Sequence, residues 1–164
     1  MTVDEKRDLI ERYRHGVDEM ETSIDGLDEA AYDFVPPIEG AWTARAQIAH
    51  LLDADILGWA RMRKAVAQPD APVDIWDQEA WASRLDYSRA DLSRTIYLDR
   101  IVREALADFL ESMIEEDWSV LAMNHPQYGH MDLETIVAKY ADHTGYHLGL
   151  IERNAKAFRE RSSS

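Results

Sequence analysis

The sequence predicts an all-α fold, a four-helix bundle with long connections between its helices. Two observations point there. Four stretches, each of roughly 20 to 27 residues, repeat apolar residues at alternating three- and four-residue steps, the period of one helix face. All five prolines fall between these stretches, where a helix has to stop, together with Gly40 and Gly129. No part of the chain reads convincingly as a strand pair, and only Trp118 to Met123 suggests a short extended piece.

The first helix is expected from about Val3 to Ile24, with Ile10, Tyr13, Val17, Met20 and Ile24 in one row. The second is expected from about Thr43 to Ala67. Thr43 is a good N-cap, although Ala46 takes the place of the Glu or Gln that a capping box needs. Its inward row reads as Ile48, Leu52, Ile56 and Trp59. The third runs from about Ala90 to Ile114 on Leu98, Val102, Leu106, Phe109 and Met113, with Asp91 as a candidate cap. The fourth runs from about Asp132 to Phe158 on Leu133, Ile136, Tyr140, Leu148 and Ile151. One connection holds Pro36, Pro37 and Gly40. Another, from Gln68 to about Asp86, holds Pro69, Pro72, Trp76 and Trp81. A third carries Asn124 to His130. Residues 1–164 are read as one domain with one core, and 159–164 as a frayed tail.

Composition narrows the function classes. The chain has no cysteine, which excludes zinc–thiolate sites, iron–sulfur clusters and cysteine nucleophiles. It carries 32 acidic against 18 basic residues, a net charge of −14, which argues against a nucleic-acid partner. No run approaches the roughly 20 apolar residues of a membrane span, so no membrane partner is expected. The charged start, Met1 to Arg7, has no apolar core, so no signal peptide is expected; with the lack of cysteine it suggests a cytoplasmic protein.

Six histidines carry the chemical interest: His15, His50, His125, His130, His143 and His147. His143 and His147 stand four apart, one turn apart on the same helix face, in register with Ile136, Tyr140 and Ile151. Two imidazoles so placed can converge on one metal ion, while a hydrogen-bonded core pair is the alternative. His50 lies between the small residues Ala46 and Ala54 on an apolar helix and can supply a third nitrogen. Three imidazoles suit zinc or nickel, and also iron or copper. No Glu lies three residues before either His143 or His147, so the bridged di-iron pattern is missing and a mononuclear site is favoured. Asp53 and Tyr140, each three residues from a candidate ligand, can orient an imidazole or line a pocket, against the defaults of a solvated acid and a core tyrosine. His125 and His130 read as loop residues, His15 as exposed, and Trp76 and Trp81 as a satellite core over the bundle end.

The segment Trp42-Thr43-Ala44-Arg45-Ala46-Gln47-Ile48-Ala49-His50-Leu51 resembles the second-helix motif of the DinB-like superfamily. The segment from His143 to His147-Leu148 resembles that family's last-helix motif. The order and distance of the two motifs fit the family, and the resemblance covers essentially the whole chain. The resemblance implies a DinB-like four-helix bundle, often a homodimer, holding one divalent metal by His50, His143 and His147. Zinc or nickel is the expected ion, with iron or manganese as alternatives. It also implies an enzyme acting on a small-molecule substrate, either a thiol transferase using a low-molecular-weight thiol or a hydrolase using a metal-activated water. A non-catalytic binding module and a structural dimer with core histidines stand as the competing readings.

Overall fold

The computed structural model describes residues 1–162, leaving aside the side chain of Ser162. Four long helices form the bundle: α1 (Val3–Ile24), α3 (Ala44–Ala67), α5 (Leu92–Glu111) and α6 (Leu133–Ser162). Two short helices, α2 (Glu29–Tyr32) and α4 (Gln78–Arg84), lie in the connections. Residues 159–162, expected to fray, are helical, and 163–164 lie outside the described residues. Each long helix starts on a side-chain cap. Thr2 and Glu5 form a full capping box on α1, Thr43 caps α3, Asp91 caps α5, and Asp132 accepts from the Thr135 amide at the head of α6.

α1 packs on α5 and α6, and α3 packs on the same two, so α1 and α3 occupy opposite corners. The Met1 amine meets Glu134 at 2.6 Å, which places the starts of α1 and α6 together. Arg45 reaches the Ala90 carbonyl at 2.9 Å, which places the starts of α3 and α5 together at the other end. α3 and α5 are therefore parallel neighbours, and the chain between them must travel back along the bundle. That requirement explains the long connection through residues 68–91.

The described residues also hold a small sheet, which corrects the expectation of no strand pair. β2 (Ala122–His125) and β3 (Gly129–Asp132) form an antiparallel hairpin, with Met123 opposite Met131, and β1 (Ala71–Pro72) adds a parallel edge. The strands are too short for their alternation to stand out in the sequence. Gly129, at φ 72°, supplies the left-handed residue that the turn requires.

The core has two apolar clusters. One gathers Ile10, Tyr13, Met62, Leu106, Trp118 and Ile136, and the other gathers Val17, Met20, Ile48, Leu51 and Ile151. Between them, along each helix, comes a polar layer: Asp55 on α3, Asp99 and Arg103 on α5, and Thr144 on α6, all buried. This layer corrects the inward rows expected for two helices. Ile56 is 46% exposed, Trp59 38% and Leu98 49%. The inward row of α3 is instead Ile48, Leu51, Asp55, Gly58 and Met62, and that of α5 is Thr95, Asp99, Arg103, Leu106 and Leu110. A burial pattern read from apolar residues alone turns a helix the wrong way when its buried face carries charges.

Candidate metal centre

α3 and α6 run antiparallel beside each other and bring the three candidate histidines together. His143 and His147 share one face of α6, as their spacing predicts, and His50 comes from the second turn of α3. Nε2 of His143 lies 3.0 Å from Nε2 of His147 and 3.3 Å from Nε2 of His50. One nitrogen from each ring falls within 4.8 Å of the other two. His50 and His147 are buried, and His143 is half-buried on the cavity side.

Burial sets the protonation of this cluster. His50 is pushed down to about 3, first by desolvation and then by His143 beside it. His147 is pushed down to about 2 by desolvation, then by His143 and His50. Desolvation also lowers His143. All three rings are neutral near pH 7, the form in which imidazole donates a lone pair to a metal.

The hydrogen bonds orient those lone pairs. Gln47 Oε1 accepts the Nδ1 proton of His147, which leaves Nε2 of that ring as the donor to a metal. Nδ1 of His50 is buried without a partner. His143 has one Nε2 facing two others and can donate a proton to only one of them. The cluster thus holds more lone pairs than protons at its centre, an arrangement that a cation completes. The donor set therefore fits a divalent metal ion.

Aromatic rings cover His50. Trp76 stacks on His50 with ring centroids 4.9 Å apart and planes within 6°, and Trp42 meets the same ring edge-on at 5.1 Å. Trp76 in turn packs edge-on against Trp81 at 5.6 Å. Of the two tryptophans expected to form a satellite core, Trp76 thus covers His50 directly and Trp81 backs it, because the returning connection between α3 and α5 passes over this ring. On the other side a cavity of about 350 Å³ opens beside His143. Tyr140 lines it, with its hydroxyl taking a hydrogen bond from Arg61 at 3.2 Å. His125, expected in a loop, ends β2, is buried and lines the same cavity.

Other candidates are placed elsewhere. Asp53 accepts from the Tyr87 hydroxyl at 2.5 Å, so its hydrogen bond fixes the 3₁₀ turn at Tyr87–Arg89 against α3. His130 is exposed and meets Asp70 at 3.2 Å. His15 is exposed between Glu11 and Asp18 on α1. Gln47 is the functional side chain that sequence reasoning passed over. Its signal was its place three residues before His50, on the same helical face.

Residues 12–151 match the family model described as the DinB superfamily. The chain is 26% identical over 129 residues to a protein of Geobacillus kaustophilus provisionally named a metal-dependent hydrolase, covering 79% of this chain and 72% of that one. It is 25% identical over 129 residues to a protein of the same provisional name from Bacillus cereus, covering 79% and 73%. Its fold is similar to that of YfiT from Bacillus subtilis, at a TM-score of 0.86, with 18% identity over 95% of this chain and 89% of that one. That structure is described, also provisionally, as a metal-dependent hydrolase with an unusual four-helix bundle topology.

Proposed function

The chain belongs to the DinB superfamily, and on that premise we propose that it is a metal-dependent hydrolase of a small molecule, with one divalent ion held by His50, His143 and His147. The observation that carries this reading is the convergence of three neutral imidazoles, two buried and one half-buried, with Nε2 of His143 3.0 and 3.3 Å from those of His147 and His50. A closed structural zinc site takes four protein ligands, and three leave a position for water or substrate. An ion bound there supplies Lewis acidity and a water acidic enough to give hydroxide near neutral pH.

This chain's own residues would prepare the reaction. Gln47 holds His147 in the tautomer that presents Nε2. Trp76 and Trp42 fix the ring of His50 and keep bulk water from that side. Tyr140, hydrogen-bonded to Arg61, places a phenol in the wall of the cavity that a substrate would enter. The relatives named as hydrolases favour water as the nucleophile. Transfer to a low-molecular-weight thiol is the second reading. The observation in its favour is the cavity beside His143, whose volume of about 350 Å³ exceeds what a water molecule needs.

The test is elemental analysis of protein purified without a histidine tag, with an ester, amide and thiol-electrophile panel run on the same sample. We expect one divalent ion per chain, lost in His50→Ala, His143→Ala and His147→Ala together with turnover. Metal content unchanged in all three variants would overturn the assignment.

A further inference from the structure

The cavity beside His143 is lined by two cationic side chains, Arg61 from α3 and Lys139 from α6, with His125 from β2 beside them. Neither cation has a carboxylate within 4.0 Å among the described residues. Arg61 donates to two neutral groups, the Tyr140 hydroxyl at 3.2 Å and the Asp74 carbonyl at 2.8 Å. Lys139 lies over the ring of Tyr128, 4.0 Å from its centroid. This is unusual in a chain with 32 acids to 18 bases. Arg12, Arg14, Arg45, Arg100 and Arg103 all reach a carboxylate. The cavity's single acid, Asp142, is already paired with Arg12.

His125 adds a third donor. Its Nδ1 accepts the Gln127 amide proton at 3.2 Å, so the neutral ring carries its own proton on Nε2. Burial, then Arg61 and Lys139, disfavour its charged form, so both cations act on the same small volume. A planar guanidinium, an ammonium and an imidazole N–H together match the oxygens of a carboxylate or phosphate.

We propose that this cavity is an anion subsite, and that the substrate is a small molecule with a carboxylate or phosphate held by Arg61, Lys139 and His125 while its reacting bond lies at His143. At about 350 Å³ the cavity is at the small end of ligand sites, which suits a compact acid. What happens at the far end of the ligand rests on the metal-hydrolase reading, whereas the anion subsite rests on its own residues.

The experiment is calorimetric titration of the zinc-loaded protein with succinate, with inorganic phosphate, and with neutral succinamide as control. We expect one or both anions to bind and succinamide not to. Succinate alone binding identifies a carboxylate ligand, and phosphate alone a phosphate ligand. Arg61→Gln and Lys139→Gln should each weaken binding about tenfold, the loss of one charge-assisted contact, with zinc content unchanged. Lys139 is exposed, so its variant tests the idea even where Arg61→Gln perturbs folding. Failure of both anions to bind, or undiminished affinity in both variants, overturns the proposal. So does affinity lost only in His50→Ala, because the anion would then sit on the metal alone. Anion binding that survives in His50→Ala with normal zinc content overturns the metal assignment and leaves the subsite standing.

Discussion

Gln47 acts on the metal centre through one atom. Its Oε1 takes the Nδ1 proton of His147, and that bond fixes both the tautomer and the rotation of the ring. Without it, His147 can place its proton on Nε2, where it blocks metal binding. Gln47→Ala is therefore expected to lower metal affinity about 10- to 100-fold, the usual cost of losing such an outer partner, with little change in helix content. Competition against a chromophoric chelator measures it, and an unchanged affinity would show that packing alone orients His147. The sequence makes the candidate ligands more legible than their partner. His143 and His147 declare themselves by helical spacing, and His50 by its place in a family motif. Gln47 and His147 lie 100 residues apart on different helices, so the place of Gln47 three residues before His50 marks its face but not its partner. Trp76 was hidden for a similar reason. Its stacking on His50 depends on the path of a connection that has no periodicity to read.

At the scale of helices, the polar layer decides how α1, α3, α5 and α6 meet. Arg103 of α5 donates through Nε to Asp55 at 2.8 Å, through Nη1 to the Tyr13 carbonyl at 2.6 Å, and through Nη2 to Thr144. Each of the other three bundle helices thus holds one arm of a single guanidinium. Gly16 makes room for it: a Cβ built at Gly16 would meet Nη1 of Arg103 in a clash and stand 3.1 Å from its Cζ. Gly16→Ala should therefore destabilise the fold by about 2 kcal/mol, because overpacking outweighs the helix preference for alanine. Gly149→Ala is the control. It sits in α6 with nothing within 4 Å of the added methyl, and should stabilise by about 0.5–1 kcal/mol. Urea melts of the two variants check both signs, and a stabilised Gly16→Ala would mean that Arg103 shifts without cost. This layer is also where apolar spacing misleads. The existence, order and approximate ends of the four long helices followed from apolar spacing and caps. The facing of α3 and α5 did not, because Asp55, Asp99 and Arg103 point inward and apolar Ile56 and Leu98 point out.

At the scale of the whole molecule, the histidine cluster ties stability to pH. In the unfolded chain each histidine titrates near 6.5, at about its ordinary value. In the metal-free fold His50 is held down to about 3 and His147 to about 2, and His143 is lowered too. Below about pH 6.5 the unfolded chain therefore takes up protons that the fold refuses, so stability rises with pH across this window. Equivalently, the contribution is complete above about 6.5 and is lost as pH falls toward 3. Asp99 works in the opposite sense. Burial, and Asp55 beside it, raise its folded value above the ordinary carboxylate range. Its contribution is therefore present below about pH 4 and is lost as pH rises through that raised value. The paired surface carboxylates lowered by their partners, such as Asp18 and Asp33, add an acid-side loss of their own. Only a difference between two proteins isolates the cluster. Urea midpoints of metal-stripped wild type and of a His50→Gln, His147→Gln double variant, taken between pH 4 and 7.5, should show a shallower pH slope in the variant, whatever its absolute stability. Loading with zinc in excess of its dissociation constant should raise the wild-type midpoint at neutral pH and leave the variant's unmoved, because an ion that binds only the folded state stabilises it by mass action. Equal pH slopes in the two proteins would mean that these imidazoles are not held neutral by burial. The cluster would then be no better prepared for a cation than three histidines on a surface.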